Sequence, residues 1–136
     1  MATNNQFQNL IREGIVSSTD PSTCTVRVTF PDKDDLVSAP LPVLTRGSKN
    51  NKDYWMPDVG ESVVCIFLPN NTNGNNDGFC IGTHYNSVDK PPVNSQDKRH
   101  IKFSDGTTIE YDRSTSTLKI NCVGDVIING STVNIN

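Results

Sequence analysis

The amino-acid sequence predicts an all-β protein in two parts: a small closed barrel, then a short strand-rich tail that buries its apolar residues only by joining other copies of itself. Three observations lead there. Helical periodicity is nearly absent after Gly14, whereas short runs of alternating apolar and polar residues recur between turn residues. Composition changes across a polar stretch carrying Pro91 and Pro92. The end of the tail is almost uncharged, with Asp125 the only charged side chain after Lys119.

Taken in order, Asn5 to Glu13 places Phe7, Leu10 and Ile11 on one face before Gly14, the pattern of a short amphipathic helical turn that docks on the barrel or on a partner. Gly14 to Thr19 and Thr23 to Phe30 flank Asp20-Pro21-Ser22, a turn triplet. In the second run Cys24, Val26, Val28 and Phe30 alternate with Thr25, Arg27 and Thr29, the period of a half-buried strand. Leu36 to Leu44 continues as an extended segment in which Pro40 and Pro42 mark a sheet edge, because proline donates no ladder hydrogen bond. Arg46 to Asp53 is a polar loop. Tyr54-Trp55-Met56-Pro57 brings large apolar groups back, with Trp55 expected in the core. Ser62 to Leu68 reads as a strand covered on both faces. Asn70 to Gly78 is an asparagine-rich loop, and Phe79 to His84 closes the set. Five strand-like segments without helices suit a small barrel. The expected division is an N-terminal arm at 1–13, a barrel at 14–86, a linker at 87–99 and the tail at 100–136.

Within the tail the apolar residues keep one parity: Ile101 and Phe103; Ile109 and Tyr111; Leu118, Ile120 and Cys122; Val126 and Ile128; Val133 and Ile135. Five short strands with one apolar face make no two-layer core by themselves, and no helix is long enough to cover that face. Open, uncharged, β-prone edges aggregate unless they are closed, and symmetric assembly of identical chains closes them. The expected common core is Ile109, Tyr111, Leu118, Ile120, Val126, Ile128, Val133 and Ile135. The alternative is that the tail extends one larger sandwich. The strand-like end Val133-Asn134-Ile135-Asn136 leads to the further expectation of a small tip-capping partner.

Composition narrows the function. Twelve basic against fifteen acidic residues give a net charge of −3, which supplies no basic field for phosphates. No hydrophobic run marks a secretory signal or spans a bilayer, so synthesis in the cytoplasm is expected. Cys24, Cys65, Cys80 and Cys122 lack metal or redox spacing and read as small buried apolar residues; a Cys65–Cys80 disulfide is the alternative if their strands pair. Neither a nucleophile elbow nor a metal helix motif is present, so no enzyme activity, catalytic residue, metal or cofactor is expected. Asp32, Asp34 and Asp35 read as a solvated turn, His84 as a rim residue, and Asn70 to Asp77 brings one carboxylate where calcium loops bring several. Arg27, Arg46, Lys49, Lys52, Tyr54 and Trp55 are the raw material for a barrel that binds single-stranded nucleic acid or carbohydrate with an oligomerisation tail. The acidic balance argues against nucleic acid.

Several stretches, in order, resemble one family. Gly14-Ile15-Val16, the run Cys24 to Asp32, and Ser38 to Leu44 resemble the opening hairpin and next segment of phage baseplate assembly protein V, the tail-spike family. Trp55-Met56-Pro57 and Gly60 to Phe67 resemble its following strand, Asp77 to Asn86 its barrel-closing signature, and Asp105 to Asp112 the start of its needle. The resemblance implies an OB-fold barrel followed by a short C-terminal intertwined triple-stranded β-helix. It implies a homotrimeric central spike of a contractile injection machine (phage tail, bacteriocin or related). Such a spike sits under the tail tube hub or baseplate proteins, touches the target cell envelope transiently, and becomes extracellular after lysis. Phe7, Leu10, Arg12 and Arg27 are the candidate hub contacts. Some spikes of this kind end in a His-any-His pair that holds iron. The histidines here are His84 and His100, so no tip metal is expected. Nor is an inserted lysozyme domain or a long needle expected.

Overall fold

The computed structural model describes residues 10–68 and 78–136. The chain separates into two compact units, 1–84 and 85–136. Both are built from antiparallel sheet.

The first unit opens with β1 (Ile11–Asp20), which turns into β2 (Thr25–Phe30). The Asp20 carboxylate makes this turn by accepting the Ser22 amide at 3.1 Å and the Ser22 hydroxyl at 2.6 Å. A single 3₁₀ turn, Pro31–Lys33, ends in left-handed Asp34 and leads to two very short strands, β3 (Leu36–Val37) and β4 (Leu41–Pro42). The extended segment expected over Leu36 to Leu44 is thus broken into two, with Pro40 between the strands and Pro42 at the end of β4. Between them Ser38 is buried and satisfied: its hydroxyl accepts from the Val28 amide at 3.0 Å and donates to the Ala39 carbonyl at 2.7 Å. β5 (Ser62–Phe67) and β6 (Gly78–Gly82) complete the unit.

Pairing runs β3-β2-β1-β5-β6, with β4 also on β2. The far edge of β6 is met by the residues after β4: Val43 bridges Cys80 in parallel, and the Leu44 amide donates to the Cys80 carbonyl at 3.0 Å. The pairings therefore return to their start through β1, β2, β4, β6 and β5. Inside lie Val16, Val26, Val28, Phe30, Leu41, Val63, Cys65, Phe67 and Cys80, with Val43 and Met56 against them. Phe30 and Phe67 meet edge to face with centroids 5.6 Å apart. Gly14 is required by this packing. A Cβ there would collide with Val28 Cγ1 and lie 2.7 Å from the Thr29 carbonyl oxygen.

Three expectations are corrected here. Ile11 to Glu13 are strand, not helix: Ile11 pairs with Ile66 and Glu13 with Val64. A partner for the exposed edge of β5 outweighs a helical pattern barely two turns long, and residues 5–9 of that pattern lie outside the described residues. Trp55 is 62% exposed, and the smaller Met56 and buried Pro57 turn inward instead. β5 is buried on one face only, since Val63, Cys65 and Phe67 are covered while Ile66 is open.

The second unit is a three-stranded meander, β7 (Lys98–Lys102), β8 (Thr108–Asp112) and β9 (Thr117–Asn121). Asp105 caps the first turn through the Thr107 amide at 2.9 Å, and Asp112 the second through the Ser114 amide at 2.9 Å. Five strands were expected. Among the described residues 122–136 have none, and their apolar positions find no ladder within the chain.

Candidate functional site

Register decides what each face of the β7–β8–β9 sheet carries. Directly opposed residues share a face. Ile101, Ile109 and Ile120 stand in one row, and Arg99, Tyr111 and Leu118 in the next. The other face carries the rows His100, Glu110, Lys119 and Lys98, Asp112, Thr117. One side of this sheet is thus aliphatic and aromatic apart from Arg99, the other polar and mostly charged.

Exposure does not follow polarity: the centre of the charged face is half-buried, although Lys102 and Lys119 on it are exposed, and most of the apolar face is open. On the charged side His100 and Glu110 are only 12% and 17% exposed. His100 Nδ1 lies 3.0 Å from Glu110 Oε1, and Lys98 Nζ 3.7 Å from the same oxygen. On the apolar side Leu118 is 64% exposed, Ile120 about half, and Tyr111 and Ile101 nearly half. Val126, Ile128, Val133 and Ile135 are all open to solvent as well. Of the eight expected core residues the register brings Ile109, Tyr111, Leu118 and Ile120 onto one face; the other four lie in the strandless segment. Ile101 belongs to the same face and was missed as a site residue, although its parity in the sequence marked it.

The candidate hub contacts are dispersed. Phe7 lies outside the described residues, as does the Asn70–Asp77 loop. Leu10 is half-buried, with its carbonyl accepting from the Phe67 amide at 2.8 Å. Arg12 turns inward, its guanidinium 3.9 Å from the Phe30 ring centroid and 5.5 Å from that of Phe67, with Nε and Nη2 buried and unpartnered. A side chain so placed takes part in the packing of the first unit. Arg27 is exposed on β2. The outer face of the first unit carries an apolar patch that sequence reasoning missed: Ile11, Ile66 and Phe79 are opposed across β1, β5 and β6, and all three are open. The unbroken apolar run of β5 was its signal.

Other sites took shape only in part. Tyr54 and Trp55 are exposed near a shallow polar dip formed by Arg46, Gly47, Asn51, Lys52 and Asp53. Arg46 is already engaged by Asp53 at 2.8 Å. His84 Nε2 is 2.7 Å from Glu13 Oε1 on an exposed rim. Asp32, Asp34 and Asp35 sit in the exposed turn after β2. Cys65 and Cys80 are buried as expected, but Cys24 is half-buried and Cys122 exposed, which corrects the reading of all four as buried residues. Among the described residues no helix is long and apolar enough to cross a membrane.

Comparison with known proteins gives one informative likeness. The chain is 28% identical over 125 residues to the spike protein of Escherichia phage P2, a stretch covering 92% of this chain. The match supports a phage baseplate spike family. It spans 56% of the P2 protein's length, so the chain corresponds to about half of that relative. No family model matches.

Proposed function

We propose that the chain is a structural central spike of a contractile injection machine, a homotrimer seated under the tail tube hub that passes the force of contraction to the target cell envelope. The observation that carries this is the sheet of the second unit: Ile101, Tyr111, Leu118 and Ile120 lie open on its apolar face, while His100 and Glu110 on the other face are largely buried. Three copies that turn Ile109, Tyr111, Leu118 and Ile120 toward a shared axis would bury that face. They would also give the strandless segment 122–136 neighbours with which to form ladders, the arrangement of an intertwined triple-stranded β-helix. Such a shaft is stiff, because its backbone bonds join separate chains. The likeness to the P2 spike protein supports the tail role.

In this reading the first unit is an OB-fold collar, a view favoured by its ring of pairings through β1, β2, β4, β6 and β5. The open patch of Ile11, Ile66 and Phe79 is a better candidate for hub or neighbour contact than inward-turned Arg12. The role is mechanical and calls for no catalysis, cofactor or nucleic acid. The protein would be made in the producing bacterium and built into a tail or tail-like particle.

The test is the native mass of the purified chain by light scattering and native mass spectrometry. A trimer at micromolar concentration is expected. A monomer would overturn both the shaft and the spike. A second reading, a barrel that binds single-stranded nucleic acid or carbohydrate, draws on the exposed Tyr54 and Trp55 beside Lys52. Salt-dependent oligonucleotide binding would favour it, and the spike reading expects none.

A further inference from the structure

The interior of the first unit holds two thiols that the spike role does not use. Cys65 on β5 and Cys80 on β6 are direct cross-strand partners, both fully buried and both free. Hydrogen bonding shows which kind of partners they are. The Cys80 carbonyl is turned away from β5, toward the Leu44 amide. The Phe67 amide, two residues along β5 from Cys65 and so pointing the same way, donates to the Leu10 carbonyl on the opposite side from β6. The two cysteines therefore form a non-hydrogen-bonded pair. In antiparallel sheet that position has the shorter Cα separation, about 4.5 Å, and the closer side chains. A disulfide needs Cα atoms about 4.4–6.8 Å apart. Both side chains point into the same interior and belong to the same buried cluster.

We propose that Cys65 and Cys80 are a redox modification site: a dithiol that hydroperoxides close into an intrachain disulfide pinning β5 to β6. A Cys80 sulfur attacks one oxygen of the peroxide; the S–O bond forms, the O–O bond breaks, and the released hydroxide takes the thiol proton and leaves as water. The Cys65 sulfur then attacks the sulfur of the Cys80 sulfenic acid, the S–O bond breaks, and the second hydroxide leaves as water with the Cys65 proton. Two thiols lose two electrons and two protons, and one hydrogen peroxide becomes two waters. The order of attack follows from the surroundings. The hydrogen bond from Cys65 holds the Cys80 thiol below its ordinary range, against the burial that raises it. The same bond, together with burial and the neighbouring sulfur, pushes Cys65 up. The thiolate is the nucleophile, so these directions favour Cys80 as the attacking sulfur, and the disulfide formed is the same whichever thiol reacts first. A small oxidant is specified because both sulfurs lie inside the barrel, where a bulky disulfide reagent has no room. In a reducing cytosol the pair stays open; in aerobic surroundings it closes. This inference does not depend on the oligomeric state.

The experiment uses the full chain with Cys24→Ser and Cys122→Ser, so that only the pair remains. Hydrogen peroxide is added, the protein is denatured, and thiols are titrated alongside intact mass. Both thiols should be lost with a mass decrease of two hydrogen atoms, and digestion should yield one peptide linking Cys65 to Cys80, reversed by dithiothreitol. With Cys65→Ser as well, Cys80 should gain oxygen instead, because its resolving partner is gone. Two thiols that survive treatment, or a paired protein that gains oxygen rather than losing hydrogen, would overturn the proposal. Circular dichroism before and after treatment confirms that the reaction occurs in folded protein; closure seen only after unfolding would overturn it too.

Discussion

Leu118→Ala separates an assembly face from an ordinary exposed position. In the single chain Leu118 is 64% exposed. Truncating such a residue on a lone monomer changes stability within about ±0.5 kcal/mol. If three copies cover it, the outcome differs. Fully burying a leucine is worth about 1.5–3 kcal/mol, so covering the open 64% contributes about 1–2 kcal/mol per chain. Across three chains that is about 3–6 kcal/mol, or roughly two to four decades in the trimerisation constant. The assay is sedimentation equilibrium over a concentration series, with Lys119→Ala, on the opposite face of β9, as the control. Lys119→Ala should leave the association constant within a few-fold of the parent. An association constant for Leu118→Ala equally unchanged would show that the apolar face of β8 and β9 is not what joins the copies.

Gly14→Ala should destabilise the first unit by about 1–3 kcal/mol through overpacking against Val28 and the Thr29 carbonyl, read as a lower midpoint in urea. Phe30→Ala should cost about 3–5 kcal/mol, since it removes both the edge contact with Phe67 and the ring beneath the Arg12 guanidinium; thermal unfolding measures it. Asp105 is held below its ordinary value of 3.8, first by the Thr107 amide, and Asp20 and Asp112 are lowered chiefly by the Ser22 and Ser114 hydroxyls. A lowered folded-state value favours the charged form. These turns should therefore hold fully above 3.8 and weaken only as pH falls through the lower, folded values. The Thr107 amide resonance should follow that titration and should lose its pH dependence in Asp105→Asn.

How much of this was legible in the sequence depended on whether one chain decides the matter. β2 could be read directly, because Val26, Val28 and Phe30 face a core supplied by the same chain. The turn at Asp20 could be read because an Asx carboxylate bonds its own backbone two residues on, as those at Asp105 and Asp112 also do. The shared face of Ile109, Tyr111, Leu118 and Ile120 followed from parity. Ile11 to Glu13 misled because β5 recruits them as an edge partner, a demand invisible to local periodicity. Trp55 misled because hydrophobic size was taken as depth, whereas it is the neighbouring Met56 that packs against the core of Phe30, Phe67 and Leu41. The outer patch of Ile11, Ile66 and Phe79 was hidden because its residues come from three strands, and only register brings them together.

The open apolar face of this sheet also bears on what stability means for this chain. A meander that folds alone in water gains by exposing its charged face and covering its apolar one. Here the His100–Glu110–Lys98 cluster carries the cost of lost hydration, and Leu118 and Ile120 stay wet. Neither choice benefits a solitary chain of three short strands, which has little surface to spare for a core. Both become favourable once the apolar face is covered by other copies, because burial then repays the polar side in the same step. Under the proposed assembly, folding of residues 98–136 and association would be one equilibrium, and the stability of this unit would depend on protein concentration. The first unit, with its own core of Val16, Val28, Phe30 and Leu41, has no such dependence built into it. One chain would then carry a part that folds by itself and a part that folds only in company. That division suits a shaft whose strands must not form in the wrong partnership before the chains meet.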